Sequence, residues 1–277
     1  MIRIAVFGAT GQTGRLICRL LLEDQNFEVL ACARTAEKLS QLQVSLGDTG
    51  ARLTTRAVDL HRTADVDKIL DEADLIVGAT SQWRDGMALA ARAVGSSTHY
   101  CGIYLSNPEK WDQLRELHSI CLDRGVMVVD DCGTHPGLPA AMIRWIALRT
   151  PLHSAWVGGK FDLEWNRLGL AAETVTDFVS EIESTDPSIF VEGHWKRGYH
   201  HTRQFEFQGR QGHETCTPML MEEMRELAQT GTVASTGFFI AGFGPFIDYA
   251  IIPLSMLLSK INRQASRNLL WWGLQRY

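Results

Sequence analysis

Short apolar runs alternate with longer stretches of helical periodicity through the first half of the chain. The runs lack polar alternation, which is typical of strands in a parallel sheet that helices cover on both faces. The predicted strands are Arg3–Gly8, Glu28–Ala33, Arg52–Ala57, Leu75–Ala79, Thr98–Gly102 and Val126–Asp130. Stretches such as Thr13–Glu23 and Met87–Val94 place apolar residues at helix spacing between them. The pattern predicts an α/β domain with a mostly parallel sheet.

The pattern changes at Gly133–Pro139, where glycines and prolines interrupt the periodicity. We expect one domain over residues 1–133 and an α+β domain over 134–277, with a helix over 250–277 that can pack back on the first domain. Strands are predicted at Trp156–Glu164 and within Phe190–Gln208. Helices are predicted at Leu170–Ile182 and Pro218–Ala228, the second with its proline in the first turn.

The apolar segment Gly237–Ser259 is long enough to cross a bilayer, but glycines, prolines and Asp248 interrupt it. The cost of a charge at bilayer depth argues against a membrane span. Two uses of the segment stay open, a dimer face and a membrane-surface anchor, because apolar patches of either kind look alike in sequence. We expect a homodimer and no membrane association.

Composition narrows the class of protein. The chain has 277 residues and is 45% hydrophobic, enough for a buried core. Its 27 Lys and Arg against 32 Asp and Glu argue against a nucleic-acid partner. Six scattered cysteines without a C-x-x-C pair, and a first segment that resembles a strand and not a secretory signal, indicate a cytoplasmic protein with reduced thiols. The histidines at 194, 200, 201 and 213 match no zinc spacing, so no metal is expected.

A glycine-rich turn joins the first predicted strand to the first predicted helix. Glycines at this position let the backbone turn sharply and approach a pyrophosphate, which the helix N-terminus then stabilises. The predicted cofactor contacts in the turn are Gly8, Thr10, Gly11, Gln12, Thr13 and Gly14. This strand, turn and helix predict a Rossmann-type dinucleotide-binding domain.

The end of the second predicted strand indicates which dinucleotide binds. An NAD site places an acidic residue there, but this chain has Arg34, helped by Thr35 and Lys38. These groups favour the 2′-phosphate of NADP, although a solvated Arg34 at a helix start is the alternative. Asp59 after the third strand is expected near the adenine, and Ala79 and Thr80 after the fourth near the nicotinamide.

Four segments resemble the saccharopine dehydrogenase-like NADP-binding oxidoreductases: Gly8–Gly14, Cys32–Leu39, Thr98–Gly102 and Asp131–Pro139. The resemblance covers Met1–Ala140 well and the rest only in general layout. It implies a Rossmann domain followed by an α+β domain that supplies a substrate cleft and often a dimer surface. It also implies oxidation or reduction of C–N bonds of opine-like amino acids, or of C=C bonds. Saccharopine-type members have an acidic residue where this chain has His135, which argues against saccharopine itself.

Catalytic candidates lie at the carboxyl edge of the predicted sheet. His135 is the first choice for proton transfer because its ordinary pKa suits that step near neutral pH. Tyr100 and Asp131 are further candidates, with Cys132 beside them. Equally open are a core aromatic for Tyr100, a turn residue for Asp131 and a packed small residue for Cys132. No tyrosine is followed four residues later by lysine, which removes the short-chain dehydrogenase pair.

The sequence thus predicts an NADP-dependent oxidoreductase that transfers a hydride to a C=N or C=C bond of a small substrate. Carboxylate-binding candidates are Arg84, Arg144, Lys160, Arg167 and Arg203. The alternatives are a non-catalytic NADP-binding regulator and a membrane-surface protein that uses the apolar segment.

Overall fold

The computed structural model of the protein describes residues 1–47, 51–104, 107–161, 167, 179, 182, 185–207, 212–244 and 246–276. The chain forms two compact units, Met1–Leu138 and Pro139–Tyr277. The sequence pattern places the boundary after residue 133, within the turn that precedes this division.

The first unit contains a six-stranded parallel sheet. Its strands are β1 (Ile2–Phe7), β2 (Phe27–Ala33), β3 (Leu53–Ala57), β4 (Leu75–Gly78), β5 (His99–Gly102) and β6 (Val128–Val129). Their spatial order is β3-β2-β1-β4-β5-β6, which is the Rossmann order. The helices are α1 (Gln12–Glu23), α2 (Ala36–Leu46), α3 (Thr63–Leu70), α4 (Trp83–Gly95) and α5 (Pro108–Arg124). The predicted fold class is confirmed, and only β6 is clearly shorter than expected.

Both faces of this sheet are buried, as the unbroken apolar runs predict. In β1, Ile4 and Val6 pack on the face that α1 and α2 cover. Ala5 and Phe7 point to the opposite face, where they meet residues of α3 and α4. Successive side chains of a strand alternate between faces, so a strand covered on both sides needs apolar residues at every position.

The second unit is built on a mixed sheet. Its strands are β7 (Ser154–Gly159), β8 (Ser188–Val191), β9 (His194–Arg197), β10 (Arg203–Phe207), β11 (Gly212–Pro218) and β12 (Ser235–Ala241). β12 pairs antiparallel with β8 and β11, and parallel with β7. The helices are α6 (Leu138–Ala147), α7 (Glu222–Gln229), a π-helical turn (Ile247–Ile251), α8 (Ile252–Ser259) and α9 (Arg263–Leu274). Most of the helix predicted at 170–182 lies outside the described residues, as do the ends of two predicted strands, at 162–164 and at 208.

The predicted start of a helix at Pro218 is wrong. Pro218 ends β11 opposite Phe239, and α7 begins four residues later at Glu222. The backbone N–H of Met219 donates to the carbonyl of Phe238 at 3.0 Å, so the ladder continues past the proline. Proline has no backbone N–H to donate, so it is tolerated both in the first turn of a helix and at the end of a strand. The local sequence therefore does not distinguish these two positions.

The apolar segment 237–259 is divided between a strand and helical turns. Phe238 and Phe239 of β12 are almost fully buried. Among the described residues, no helix is long and apolar enough to cross a membrane. The single helix predicted over 250–277 is divided into α8 and α9, and both belong to the second unit. A new helix begins after Asn262, whose side chain caps α9 by accepting from Ala265 N at 3.0 Å.

Candidate functional site

Gly8 shapes the turn that follows β1. It has a φ of 83°, and its N–H donates to the carbonyl of Cys32 at 3.0 Å. A Cβ atom at this position would lie 2.2 Å from the carbonyl oxygen of Ala79. Two features therefore require a glycine at position 8: the backbone is left-handed there, and the chain after β4 approaches it closely.

Gly11 and Gly14 have different roles in the same turn. Gly14 is buried, and a Cβ there would lie 2.2 Å from the carbonyl oxygen of Gly8, so this glycine lets α1 pack on the turn. Gly11 is exposed, and a Cβ there would meet the Gly8 oxygen at 3.3 Å, which is only slightly tight. Gly11 precedes α1 without a side-chain cap, and the first turn of α1 carries no acidic residue. The N-terminus of α1, with Gln12 and Thr13 exposed and Thr10 half-buried beside it, fits an anion such as a pyrophosphate.

Arg34, Thr35 and Lys38 lie together where β2 passes into α2. All three are exposed, and Thr35 precedes α2 without a capping hydrogen bond from its side chain. Neither Arg34 nor Lys38 bonds to any other residue in the part of the chain that the structure describes. Arg56 on the neighbouring strand is different, because Glu72 binds its guanidinium at 2.8 and 3.0 Å. The end of β2 thus offers two positive charges that no described residue pairs with.

Asp59 and Thr80 follow β3 and β4 at the same edge of the sheet. Asp59 is half-buried, and its Oδ1 accepts from the backbone N–H of His61 at 3.0 Å, so the carboxylate shapes a turn. Ala79 N donates to Phe7 O at 2.9 Å, which holds the residue beside β1. The hydroxyl groups of Thr80 and Tyr104 lie 2.7 Å apart.

Tyr104 is a site residue that the sequence analysis did not select. Its ring occupies a slot that two glycines leave open: a Cβ at Gly86 would lie 2.0 Å from its Cε2, and a Cβ at Gly78 would lie 3.0 Å from its hydroxyl oxygen. Burial raises the pKa of Tyr104. The signal that could have found Tyr104 is this pair of glycines, one at the end of β4 and one in the first turn of α4.

Tyr100 is more deeply buried than we expect of a catalytic residue. Its side chain is 1% exposed and belongs to the core between the sheet and the helices α3 to α5. Burial, followed by the neighbouring Tyr104 and Asp130, raises its pKa well above the ordinary value. A catalytic role for Tyr100 stays a prediction, and Tyr104 is the phenol that bonds to Thr80.

Asp131 belongs to a buried charge cluster with Asp130 and Lys110. Lys110, in the first turn of α5, is fully buried; its Nζ donates to Tyr104 O at 3.0 Å and lies 3.2 Å from Asp130 Oδ2. The same ammonium donates to Asp131 Oδ1. Burial is the largest cause that raises the pKa of Asp130. The Asp131 carboxylate is therefore engaged by a lysine, and its catalytic role stays a prediction.

His135 lies in a tight turn after β6. Leu138 N donates to Gly133 O at 3.1 Å, and Gly137 has a φ of 119°, with Asp131 O 1.9 Å from where its Cβ would be. His135 is half-buried, and burial lowers its pKa below the ordinary value. The imidazole is mainly neutral at neutral pH, and once protonated it is a stronger acid than a free histidine.

Most of the carboxylate-binding candidates have partners within the chain. Arg84 binds Glu109 at 2.7 Å, Arg144 binds Glu226 at 2.7 Å, and Lys160 binds Glu214 at 2.5 Å. Arg203 lies over the ring of Trp156 at 4.2 Å. Arg167 is exposed. Within the described part of the chain, no three His, Cys, Asp or Glu side chains converge on a point that could hold a metal.

Residues 8–100 match a family model described as NAD(P)H-binding. The matched range begins at Gly8 and contains Arg34 and Thr80. The first unit carries an NAD(P)H-binding domain. The chain also resembles a curated relative, the 4-hydroxy-tetrahydrodipicolinate reductase of Methanopyrus kandleri, at 33% identity over 106 residues, 35% of this chain and 38% of that protein.

The NAD(P)H-binding domain and the second unit together resemble a solved structure, the saccharopine dehydrogenase (L-Glu forming) of Saccharomyces cerevisiae. The TM-score is 0.64 at 13% identity, and the match covers 91% of this chain and 59% of the yeast chain. At this identity the likeness shows the fold. The resemblance to the saccharopine dehydrogenase-like group is confirmed at that level.

Proposed function

We propose that the protein is an NADP-dependent oxidoreductase that reduces a C=N or C=C bond of a small carboxylate-bearing substrate. The observation that carries the proposal is the NAD(P)H-binding domain, whose glycine turn leaves the N-terminus of α1 open to an anion. The bound nicotinamide supplies the hydride. The protein orients the cofactor and substrate, excludes water and supplies a proton.

The residues present fit this cofactor. Gly8 and Gly14 keep the turn tight, and the N–H groups that open α1 bind the pyrophosphate. Arg34 and Lys38 bind the 2′-phosphate, since a guanidinium and an ammonium without partners in the described chain are suited to a doubly charged group. Asp59 borders the adenine, and Ala79 and Thr80 border the nicotinamide side.

His135 donates the proton in this proposal, and Tyr104 orients the reacting group through its bond to Thr80. The lowered pKa of His135 makes its protonated form a strong donor but a scarce one at neutral pH. The rate of reduction is therefore expected to rise as the pH falls through the pKa of His135.

The test is a substrate panel with NADPH as reductant. Pairs of 2-oxo acids with amines, which form C=N bonds, and unsaturated carboxylates, which offer C=C bonds, are screened for loss of NADPH absorbance. The His135→Asn variant should retain NADPH affinity and lose about a hundred-fold or more in rate. A wild-type rate in this variant would reassign the proton to Tyr104 or water. His61→Asn is the matched control.

A non-catalytic NADP-binding regulator is the second candidate. It is favoured by the burial of Tyr100 and by the pairing of Asp131 with Lys110, which commit two predicted catalytic groups to the structure. Tight NADPH binding without turnover across the panel would support the regulator over the enzyme.

We also propose a compartment, an oligomeric state and a class of ligand: the protein is a cytoplasmic homodimer that binds a small molecule and no nucleic acid. All six cysteines are free thiols, as a reducing compartment requires. The exposed side chains of Leu254, Leu257 and Ile261 in the second unit offer apolar surface to a second copy. Analytical ultracentrifugation of the wild type and of Leu257→Glu tests the dimer.

A further inference from the structure

Two glycines lie opposite each other at the carboxyl edge of the parallel sheet in the first unit. Gly78 ends β4 and pairs with Gly102, which ends β5. A Cβ at Gly78 would lie 2.2 Å from the hydroxyl oxygen of Tyr100 and 3.0 Å from that of Tyr104. A Cβ at Gly102 would lie 2.2 Å from Oδ1 of Asp130 and 3.1 Å from Cε1 of Tyr100. The space that the two glycines leave is therefore filled by a polar cluster, the side chains of Tyr100, Tyr104 and Asp130.

Two members of the polar cluster have hydrogen-bonding atoms without a partner. Among the described residues, neither the hydroxyl oxygen of Tyr100 nor either carboxyl oxygen of Asp130 has a hydrogen-bond partner. Tyr100 is 1% exposed, and so is the side chain of Asp130. Burying a polar group without a hydrogen bond is unfavourable, so the phenol and the carboxyl group require each other or a bridging water molecule.

Charge balance decides which of these two groups donates. The buried ammonium of Lys110 donates to the carboxylate of Asp131 and lies 3.2 Å from Oδ2 of Asp130. No second cation in the described part of the chain forms an ion pair with either carboxyl group. Two carboxylates around one buried ammonium would leave an uncompensated negative charge, which a proton on Asp130 removes. Consistent with this, burial raises the pKa of Asp130.

The hydroxyl group of Thr80 lies at the outer end of the polar cluster. Thr80 is half-buried, and its hydroxyl is 2.7 Å from that of Tyr104. The backbone N–H of Thr80 donates to the same phenol oxygen at 3.3 Å, so the phenol hydrogen is available to the Thr80 hydroxyl oxygen. The Thr80 hydrogen then donates outward, and its competing acceptor among the described residues is the carbonyl of Gln82, at 3.5 Å.

We propose that the Thr80 hydroxyl donates a hydrogen bond to the substrate atom that gains negative charge on hydride transfer. The neutral carboxyl group of Asp130 fixes the direction of this bond through the hydroxyls of Tyr100 and Tyr104. Each group accepts from the one behind it and donates to the next, which strengthens the last hydrogen bond. The inference rests on the proposed function, and His135 remains the proton donor because no proton leaves this hydrogen-bond network. An ionised Asp130 would reverse the network and leave Thr80 without a free hydrogen.

Infrared spectroscopy of the full chain without cofactor tests the direction of the network. A protonated carboxyl group has a carbonyl stretching band that ionised carboxylates lack. We expect this band at neutral pH, its loss in Asp130→Asn, and a shift of the band in Tyr100→Phe, which removes the hydrogen-bond acceptor. Tyr249→Phe is the matched control and should leave the band unchanged, since Tyr249 is 83% exposed. An absent band, or one that Tyr100→Phe does not move, would overturn the proposal.

Turnover tests the role of Thr80. Thr80→Val should lower kcat about a hundred-fold with little change in NADPH affinity, and Thr80→Ser, which keeps the hydroxyl, should restore most of the rate. Tyr100→Phe should lower kcat about tenfold and leave KM unchanged, whereas Tyr249→Phe should match the wild type.

A wild-type kcat in Thr80→Val, or equal rates of Thr80→Ser and Thr80→Val, would also overturn the proposal. No turnover by the wild type across the substrate panel would instead contradict the proposed function, and the infrared band would still decide whether Asp130 is neutral. Circular dichroism of each variant establishes that it is folded.

Discussion

A fully buried lysine requires opposite charge around it, because an unpaired ammonium in the interior costs several kcal/mol. Lys110 meets this requirement with Asp130, Asp131 and the carbonyl of Tyr104. Nothing in the local sequence marks it, since a lysine in the first turn of a helix is ordinarily exposed. Only the tertiary pairing of α5 with the chain after β6 identifies the cluster, and for that reason it could not be predicted from the sequence.

Lys110→Met tests this cluster by removing the ammonium and leaving two buried carboxyl groups without a partner. We expect a loss of about 3–5 kcal/mol in the stability of the first unit, measured by urea unfolding at neutral pH. Lys68→Met is the matched control, because Lys68 is 70% exposed and its ion pair with Asp65 is worth less than about 1 kcal/mol. Equal effects of the two substitutions would contradict the buried pairing.

The raised pKa of Asp130 makes stability depend on pH. Burial favours the protonated carboxyl in the folded state, so its stabilising contribution is full below the unfolded pKa of about 3.9 and is lost as the pH rises through the folded pKa. Asp130→Asn keeps the shape and removes this titration. The stability of the variant relative to the wild type should therefore increase from pH 4 to pH 7, as measured by urea unfolding at each pH. A difference in stability that does not change between pH 4 and pH 7 would refute the assignment.

The elements of the first unit follow from local patterns, and the glycine turn shows where such patterns stop. The sequence predicts the turn and its place between strand and helix, and it expects Gly14 to matter for packing as well as for binding, but it does not give the space around each glycine. The structure supplies this difference, because a Cβ at Gly14 would lie 2.2 Å from the carbonyl oxygen of Gly8, whereas a Cβ at Gly11 would lie 3.3 Å from the same oxygen. In the second unit the sequence misplaces the start of α7, since Pro218 suits a strand end as well as a helix start.

Substitutions in the turn should separate folding from binding. Gly11→Val should fold with nearly wild-type thermal stability and lose NADPH affinity by about tenfold or more, because its side chain occupies the space in front of α1. Gly14→Ala should lower the melting temperature, because its Cβ would overlap the Gly8 carbonyl. Gly95→Ala, which meets no atom within 4 Å, is the control. Normal NADPH binding by Gly11→Val would show that the turn does not hold the cofactor.

At the scale of the whole molecule, charge argues for a specific anion site. The chain carries a net charge of -5, so a dianionic phosphate is repelled on average and binds only where cations are concentrated. Arg34 and Lys38 supply such a place beside the N-terminus of α2. A ligand that binds only the folded chain also raises its stability, so cofactor affinity can be read from melting as well as from titration.

The last prediction is that the protein binds NADPH more tightly than NADH because of Arg34. Arg34→Ala removes a bidentate contact to the 2′-phosphate, which should weaken NADPH binding by about 1.5–3 kcal/mol, or about 10- to 150-fold, with little effect on NADH. Fluorescence titration of both cofactors measures the affinities, and NADPH should raise the melting temperature of the wild type more than that of the variant. Arg263→Ala, an exposed arginine in the second unit, is the control and should change neither cofactor's affinity. Equal affinities of the wild type for NADPH and NADH would reject the NADP assignment and leave Arg34 as a solvated residue at the start of α2.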